Sequence, residues 1–176
     1  PRNKKAVELC IPSFVHPTRP PFCPNWPLKV QFTVGDWVFL LGDQFAVHMM
    51  ACAGVFEAFP KLEFIFCQLG GFTPFTLVRI DLGMEMNKTL PSRNPDTSDL
   101  KLVRLRDYCG RFYVDIHSAD SSAMRCAVEN FGADKLLFAT DYPITPVESG
   151  ASWHREQVEG SRLGDDAIKA IKSGNT

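Results

Sequence analysis

Four short apolar runs punctuate the chain, at residues 9–15, 62–67, 112–116 and 136–140, each bounded by turn residues or charge. Their apolar character is continuous rather than alternating, as a strand covered on both faces of a parallel sheet requires. The segments between them carry a helical period. Phe45, Met49, Cys52, Phe56 and Phe59 recur at steps of three and four, and Ala123, Met124, Ala127, Val128 and Phe131 repeat the pattern up to Gly132, a residue suited to ending a helix. Leu100, Val103, Leu105 and Asp107 predict a weaker helix ahead of the third run. Strand alternating with helix is the signature of βαβ units, hence of an α/β fold with parallel strands and outer helices.

Two stretches break the rhythm. Residues 17–42 hold Pro17, Pro20, Pro21, Pro24 and Pro27, which argues against a helix there and for a long irregular connection. Residues 83–98, with Asn87, Pro91, Asn94 and Pro95, read as a second surface excursion.

With 176 residues and 45% hydrophobic content the chain can bury one substantial core, so 1–176 reads as one domain. Its 19 Lys and Arg nearly balance 20 Asp and Glu, which leaves no basic stripe for phosphates and argues against nucleic acid as a partner. No apolar run approaches the ~20 residues of a membrane helix, so no membrane partner is expected. Cys10, Cys52, Cys67 and Cys126 fall among apolar neighbours, and the cysteines lack metal-finger spacing. Reduced thiols and a cytoplasmic location are the expectation.

Parallel α/β folds bind ligands beyond the carboxyl ends of their strands, where loops converge. His16, Gln68, His117 and Asp141 follow the four runs in turn, which predicts one pocket that collects them. Imidazole and carboxylate are common ligands of divalent metals, and His16 and Asp141 could supply two; a catalytic zinc takes about three protein ligands, so others must come from elsewhere. Each residue also has an ordinary reading, His16 as a strand cap and Asp141 as a turn residue bonded to its own backbone. Gly70-Gly71 lacks both the dinucleotide spacing and the Walker lysine and reads as a tight turn. His48 and His154, on or near helices, read as packed or solvated.

Five stretches carry a family resemblance: residues 14–21 (FVHPTRPP), 54–62 (GVFEAFPKL), Leu69-Gly70-Gly71, 111–115 (RFYVD) and 132–143 (GADKLLFATDYP). In order and spacing they resemble the amidohydrolase-related superfamily, nearest to the branch of aminocarboxymuconate semialdehyde decarboxylase and γ-resorcylate decarboxylase. The resemblance implies a TIM-like (β/α) barrel of which this chain holds the C-terminal half, strands five to eight, the amino-terminal half being absent. It implies that His16 is a metal ligand on strand five and Asp141 a metal ligand after strand eight. Two departures stand out. The His-x-His metal pair of the family's first strand occurs nowhere in this sequence, and Gln68 stands where the family usually places a catalytic histidine before Leu-Gly-Gly. Glutamine does not exchange protons near neutral pH, so three outcomes stay open: a different reaction, the use of His117 instead, or weak catalysis. A half barrel exposes two sheet edges, and a homo-oligomer is expected on that ground.

The leading expectation is a metal-dependent decarboxylase or hydrolase of a small carboxylated or cyclic substrate, with zinc favoured and manganese the alternative. Asp141, Gln68 and His117 are its catalytic candidates, His16 and Asp141 its metal ligands, and Arg79 its binder of a substrate carboxylate. The competing readings are a catalytically degenerate barrel acting as a binding or scaffold protein, and a flavodoxin-like nucleotide-binding domain, for which no loop has the phosphate-binding pattern.

Overall fold

A computed structural model describes residues 2–18, 28–89, 101–117, 119–144 and 147–175. Four strands, β1 (Ser13–Val15), β2 (Phe64–Phe66), β3 (Tyr113–Asp115) and β4 (Leu136–Leu137), form one sheet in the order β1-β2-β3-β4, every pair parallel. The register sets Phe14 beside Ile65, Ile65 beside Tyr113, and Val114 beside Leu136. Each strand therefore lies next to its neighbour in the chain. A doubly wound sheet reverses its strand order at a switch point, so the flavodoxin-like reading fails, and the sequential order is that of a barrel wall.

Each apolar run contains a strand, but the strands are shorter than the runs. The first run begins as the end of a helix, α1 (Arg2–Leu9), and the chain turns at Cys10 with φ 52° before β1 starts. Burial is also uneven: Phe66 and Val114 on the inner strands are fully buried, whereas Phe14 on β1 is 58% exposed. β1 and β4 are the outer strands, each with one paired neighbour among the described residues.

The helices are α2 (Leu28–Cys52), α3 (Val55–Ala58), α4 (Thr73–Thr89), α5 (Ser121–Phe131), α6 (Val147–Glu159) and α7 (Asp165–Lys169), the last running into a π-helical turn, Ala170–Gly174. α5 follows its sequence pattern closely. Asp120 caps it by accepting from the Ala123 N–H at 2.7 Å, it buries Met124, Ala127 and Phe131, and it ends at Gly132 with φ 93°. Among the described residues no helix is long and apolar enough to cross a membrane.

Three expectations need correction. The stretch 17–42 is helical from Leu28 onward, because its prolines all precede that residue; residues 19–27 lie outside the described residues. Gly35 and Gly42 each weaken a helix by about 1 kcal/mol relative to alanine, but Gly42 has a packing role. A Cβ there would stand 3.3 Å from the Pro17 Cβ, so the loop leaving β1 lies directly on the helix. The stretch 83–98 is helical through Thr89, at the end of α4, with 90–98 outside the described residues. In place of the weak helix around Leu100 to Asp107, the chain is extended at Arg104 and forms a 3-10 turn over Leu105–Arg111, anchored where Asp81 Oδ1 accepts from the Leu105 N–H at 2.6 Å.

The core is organised around Phe112. Its ring centroid lies 5.2 Å from Phe66, 5.5 Å from Phe131 and 5.9 Å from Phe56, which joins β2, α3 and α5 through one side chain. Such aromatic pairs contribute about 0.5–1.5 kcal/mol each beyond area burial. The C-terminal turn belongs to the same body: Ile171 is buried, and Asn175 Nδ2 donates to the carbonyls of Ala133 and Leu136 at 2.7 and 2.8 Å.

Gly71 fixes α2 against the turn after β2. It has φ 69°, and a Cβ there would overlap the Leu40 carbonyl oxygen. Gly71→Ala is expected to cost about 3 kcal/mol of stability through left-handed strain and overpacking. Phe112→Ala is expected to cost about 3–5 kcal/mol. Urea unfolding measures both, and a loss below about 1 kcal/mol at Gly71 would show that α2 is free to shift away.

Candidate active site

Because all four strands run the same way, their carboxyl ends share one rim. The cavity at this rim has a volume of about 730 Å³, and its wall includes Gln68, His117 and Asp141 together with Leu40, Phe72 and Phe75. His117 Nε2 stands 3.5 Å from Asp141 Oδ2. The His117 ring also packs 5.7 Å, centroid to centroid, from His154 of α6, whose Nδ1 donates to the Gly150 carbonyl. His154 is 2% exposed and lies edge-on to Trp153 and Phe138, so it is packed, and packed beside the cavity. His48, half-buried on α2, is also packed, and burial holds its imidazole below the ordinary pKa.

His16 and Arg79 do not line this cavity. His16 follows β1, is exposed, and sets its ring 6.4 Å from Phe39. Its Nδ1 lies 2.8 Å from the Pro17 carbonyl. A carbonyl only accepts, so Nδ1 carries the hydrogen and the lone pair of the neutral ring sits on Nε2, the tautomer of a histidine ready to ligate through Nε2. Arg79 is exposed on α4.

Among the described residues no three His, Cys, Asp or Glu side chains gather in a metal-binding group. The donors His16 and Asp141 suit a divalent ion chemically, but a catalytic ion takes about three protein ligands, so the described residues do not by themselves complete a metal centre.

Two carboxylates beneath the rim escaped the sequence reading. Asp115, the last residue of β3, is 5% exposed, and its Oδ1 accepts from the backbone N–H of Gln68 at 2.8 Å and of His117 at 3.1 Å. Burial raises its pKa while those two hydrogen bonds oppose the rise. Asp43 of α2 is fully buried, and neither carboxylate oxygen has a hydrogen-bond partner among the described residues. Burial first, and the charge of Asp115 second, push its carboxyl from 3.8 up to about 8. Asp115 was detectable as the one charge inside the apolar run Phe112 to Ile116, and Asp43 as the one acid between Trp37 and Cys52. Reading the first part of α2 as a loop concealed Asp43.

Cys67 lies among these acids. Burial and the charges of Asp115, Asp43 and Asp141 raise its pKa strongly, and its thiol donates to the Val15 carbonyl at 3.3 Å, so it is an inert structural thiol. Among the described residues Cys10, Cys52, Cys67, Cys109 and Cys126 are free thiols, and Cys10 is exposed rather than packed. The backbone at the rim is strained: Gln68, Leu69 and Asp141 take φ of 52°, 59° and 58°. Left-handed conformation costs a side-chain-bearing residue roughly 1–2 kcal/mol, and such strain concentrates at functional sites. The Gln68–Gly70 turn is pinned where Thr73 Oγ1 donates to the Gly70 carbonyl.

Asp43 makes stability depend on pH. Between pH 3.8 and about 8 the folded protein retains a proton that the unfolded chain releases. Stability is therefore highest below that window and falls through it, by up to about 1.4 kcal/mol per pH unit, levelling off above. Asp43→Asn is expected to flatten this slope in urea unfolding series between about pH 5 and about pH 8; an unchanged slope would assign it to other groups.

The chain spans about half the length of the curated relatives that it matches over most of its own length. It is 27% identical to decarboxylase orsB of Emericella nidulans over 90% of this chain and 48% of that protein. It is 26% identical to γ-resorcylate decarboxylase of a Polaromonas species over 95% of this chain and 49% of that protein. Among solved structures, dihydroxybenzoic acid decarboxylase from Polaromonas, with bound manganese and the inhibitor 2-nitroresorcinol, superposes with a TM-score of 0.71 at 21% identity, over 98% of this chain and 50% of that one. This coverage agrees with the half barrel expected from the sequence, and the amidohydrolase family pattern matches residues 4–176. The chain belongs to the amidohydrolase family.

Proposed function

We propose that this chain forms the C-terminal half of a divalent-metal-dependent decarboxylase acting on a small aromatic or cyclic carboxylic acid. The observation that carries the reading is the cavity at the strand ends, where His117 and Asp141 approach to 3.5 Å beside the amide of Gln68 against an apolar wall. Its volume falls within the roughly 300–1,000 Å³ of small-molecule sites, and Phe72 and Phe75 suit the faces of a flat ring. The decarboxylase names of the relatives support the reaction class.

In this reading His16 and Asp141 would hold the metal together with donors beyond the described residues. The bound ion would polarise a substrate oxygen; manganese has the support of the related structure, while zinc has none from it. Loss of CO₂ from a ring requires a proton at the carbon that bears the carboxylate; the carbon–carbon bond then breaks and its electron pair restores the ring. His117 and Asp141 are the groups here that can carry that proton. Gln68 cannot, but its buried Oε1 has no partner among the described residues and offers an acceptor to a substrate hydroxyl.

The enzyme in its full length tests the reading. Stripping metal with a chelator should abolish CO₂ release and adding manganese should restore it, while His117→Ala and Asp141→Ala should each lower kcat at least about 100-fold. Turnover that survives all three treatments would overturn the proposal.

Gln68 favours a second reading, a degenerate binding protein. Absence of turnover from wild-type enzyme with manganese and with zinc, joined to turnover gained by Gln68→His, would select it.

A further inference from the structure

Gln68 and His117 reach the cavity from two different loops, one after β2 and one after β3. What joins these loops is a carboxylate. Asp115 Oδ1 accepts from the backbone N–H of both residues, at 2.8 and 3.1 Å. The Asp115 side chain is almost wholly buried at the end of β3, so these bonds form away from bulk water, where a hydrogen bond is electrostatically stronger than in solvent. The two residues it holds are also the ones most in need of holding. Gln68 sits at φ 52° with Leu69 following at φ 59°, a conformation that persists only when its surroundings over-determine it. His117 presents Nε2 to Asp141, a geometry set by where its backbone leaves β3.

We propose that Asp115 is a positioning residue, fixing through one carboxylate oxygen the backbone placement of Gln68 and His117 so that both side chains address the same substrate. The inference rests on the cavity being the active site, as proposed above. The acceptor oxygen performs the positioning, so an amide in the same place should largely suffice. Asp115→Asn keeps an oxygen facing both N–H groups, whereas Asp115→Ala removes it. Both bonds go to Asp115 and neither to Asp43, the other buried acid of this region.

The test is residue-resolved amide hydrogen exchange on the full-length protein, paired with steady-state kinetics. In Asp115→Ala, exchange at the Gln68 and His117 amides should rise at least about 10-fold while Phe66 and Val114 in the adjoining strands stay protected, and Asp115→Asn should remain within about threefold of wild type. In kinetics, Asp115→Ala should lower kcat about 10- to 100-fold with little change in KM, and Asp115→Asn should recover most of it. Unchanged exchange at the two amides would overturn the proposal. So would a rise spread evenly over β2 and β3, or damage in Asp115→Asn equal to that in Asp115→Ala. The exchange readout needs no turnover, so it decides the role of Asp115 even if the decarboxylase reading fails.

Discussion

Parallel strand direction is the constraint on which everything else depends. Once β1 to β4 run the same way in sequential order, the residues that follow them meet at one rim although the chain separates them widely. Helices must cover such a sheet, and α2 and α5 share one apolar core with it, through Val47 and Ala51 of the first and Met124 and Phe131 of the second. The close approach of Gly71 to Leu40 brings α2 near enough that one of its acids, Asp43, ends beneath the rim rather than in solvent.

Burial then determines how these acids behave. Asp115 has two N–H donors that oppose the rise in pKa that burial causes, whereas Asp43 has none among the described residues and its carboxyl is pushed up to about 8. The result is a graded electrostatic arrangement: two buried acids, Asp43 without donors among the described residues and Asp115 anchored by two, and the half-exposed Asp141 with His117 at the cavity. Each group has a role set by its access to water and to hydrogen-bond donors.

Much of this was legible in the sequence. The apolar runs located the four strands of the described residues, because strands buried in a parallel sheet leave little freedom in residue choice, and of the four residues at the run ends Gln68, His117 and Asp141 line one cavity. Strand lengths were overestimated because apolar residues at run ends, such as Phe138, pack on helices instead of pairing. α2 was missed in part because a cluster of prolines dominates the local signal while the helix behind it draws stability from tertiary contact. His16 and Arg79 are not among the residues that line the cavity, and a residue's place at a strand end or on a helix does not by itself determine which way its side chain faces. Asp43 and Asp115 were missed because a lone acid in an apolar stretch reads as a break in the pattern until the fold shows what surrounds it.

The clamp formed by Asn175 ties together stretches of chain that lie far apart in sequence. Its one side-chain amide donates to the carbonyls of both Ala133 and Leu136, which flank the entry to β4. Local opening of the turn that carries Asn175 would therefore free those carbonyls and loosen the segment that delivers Asp141, so the order of the rim is coupled to a helical turn that never touches the cavity.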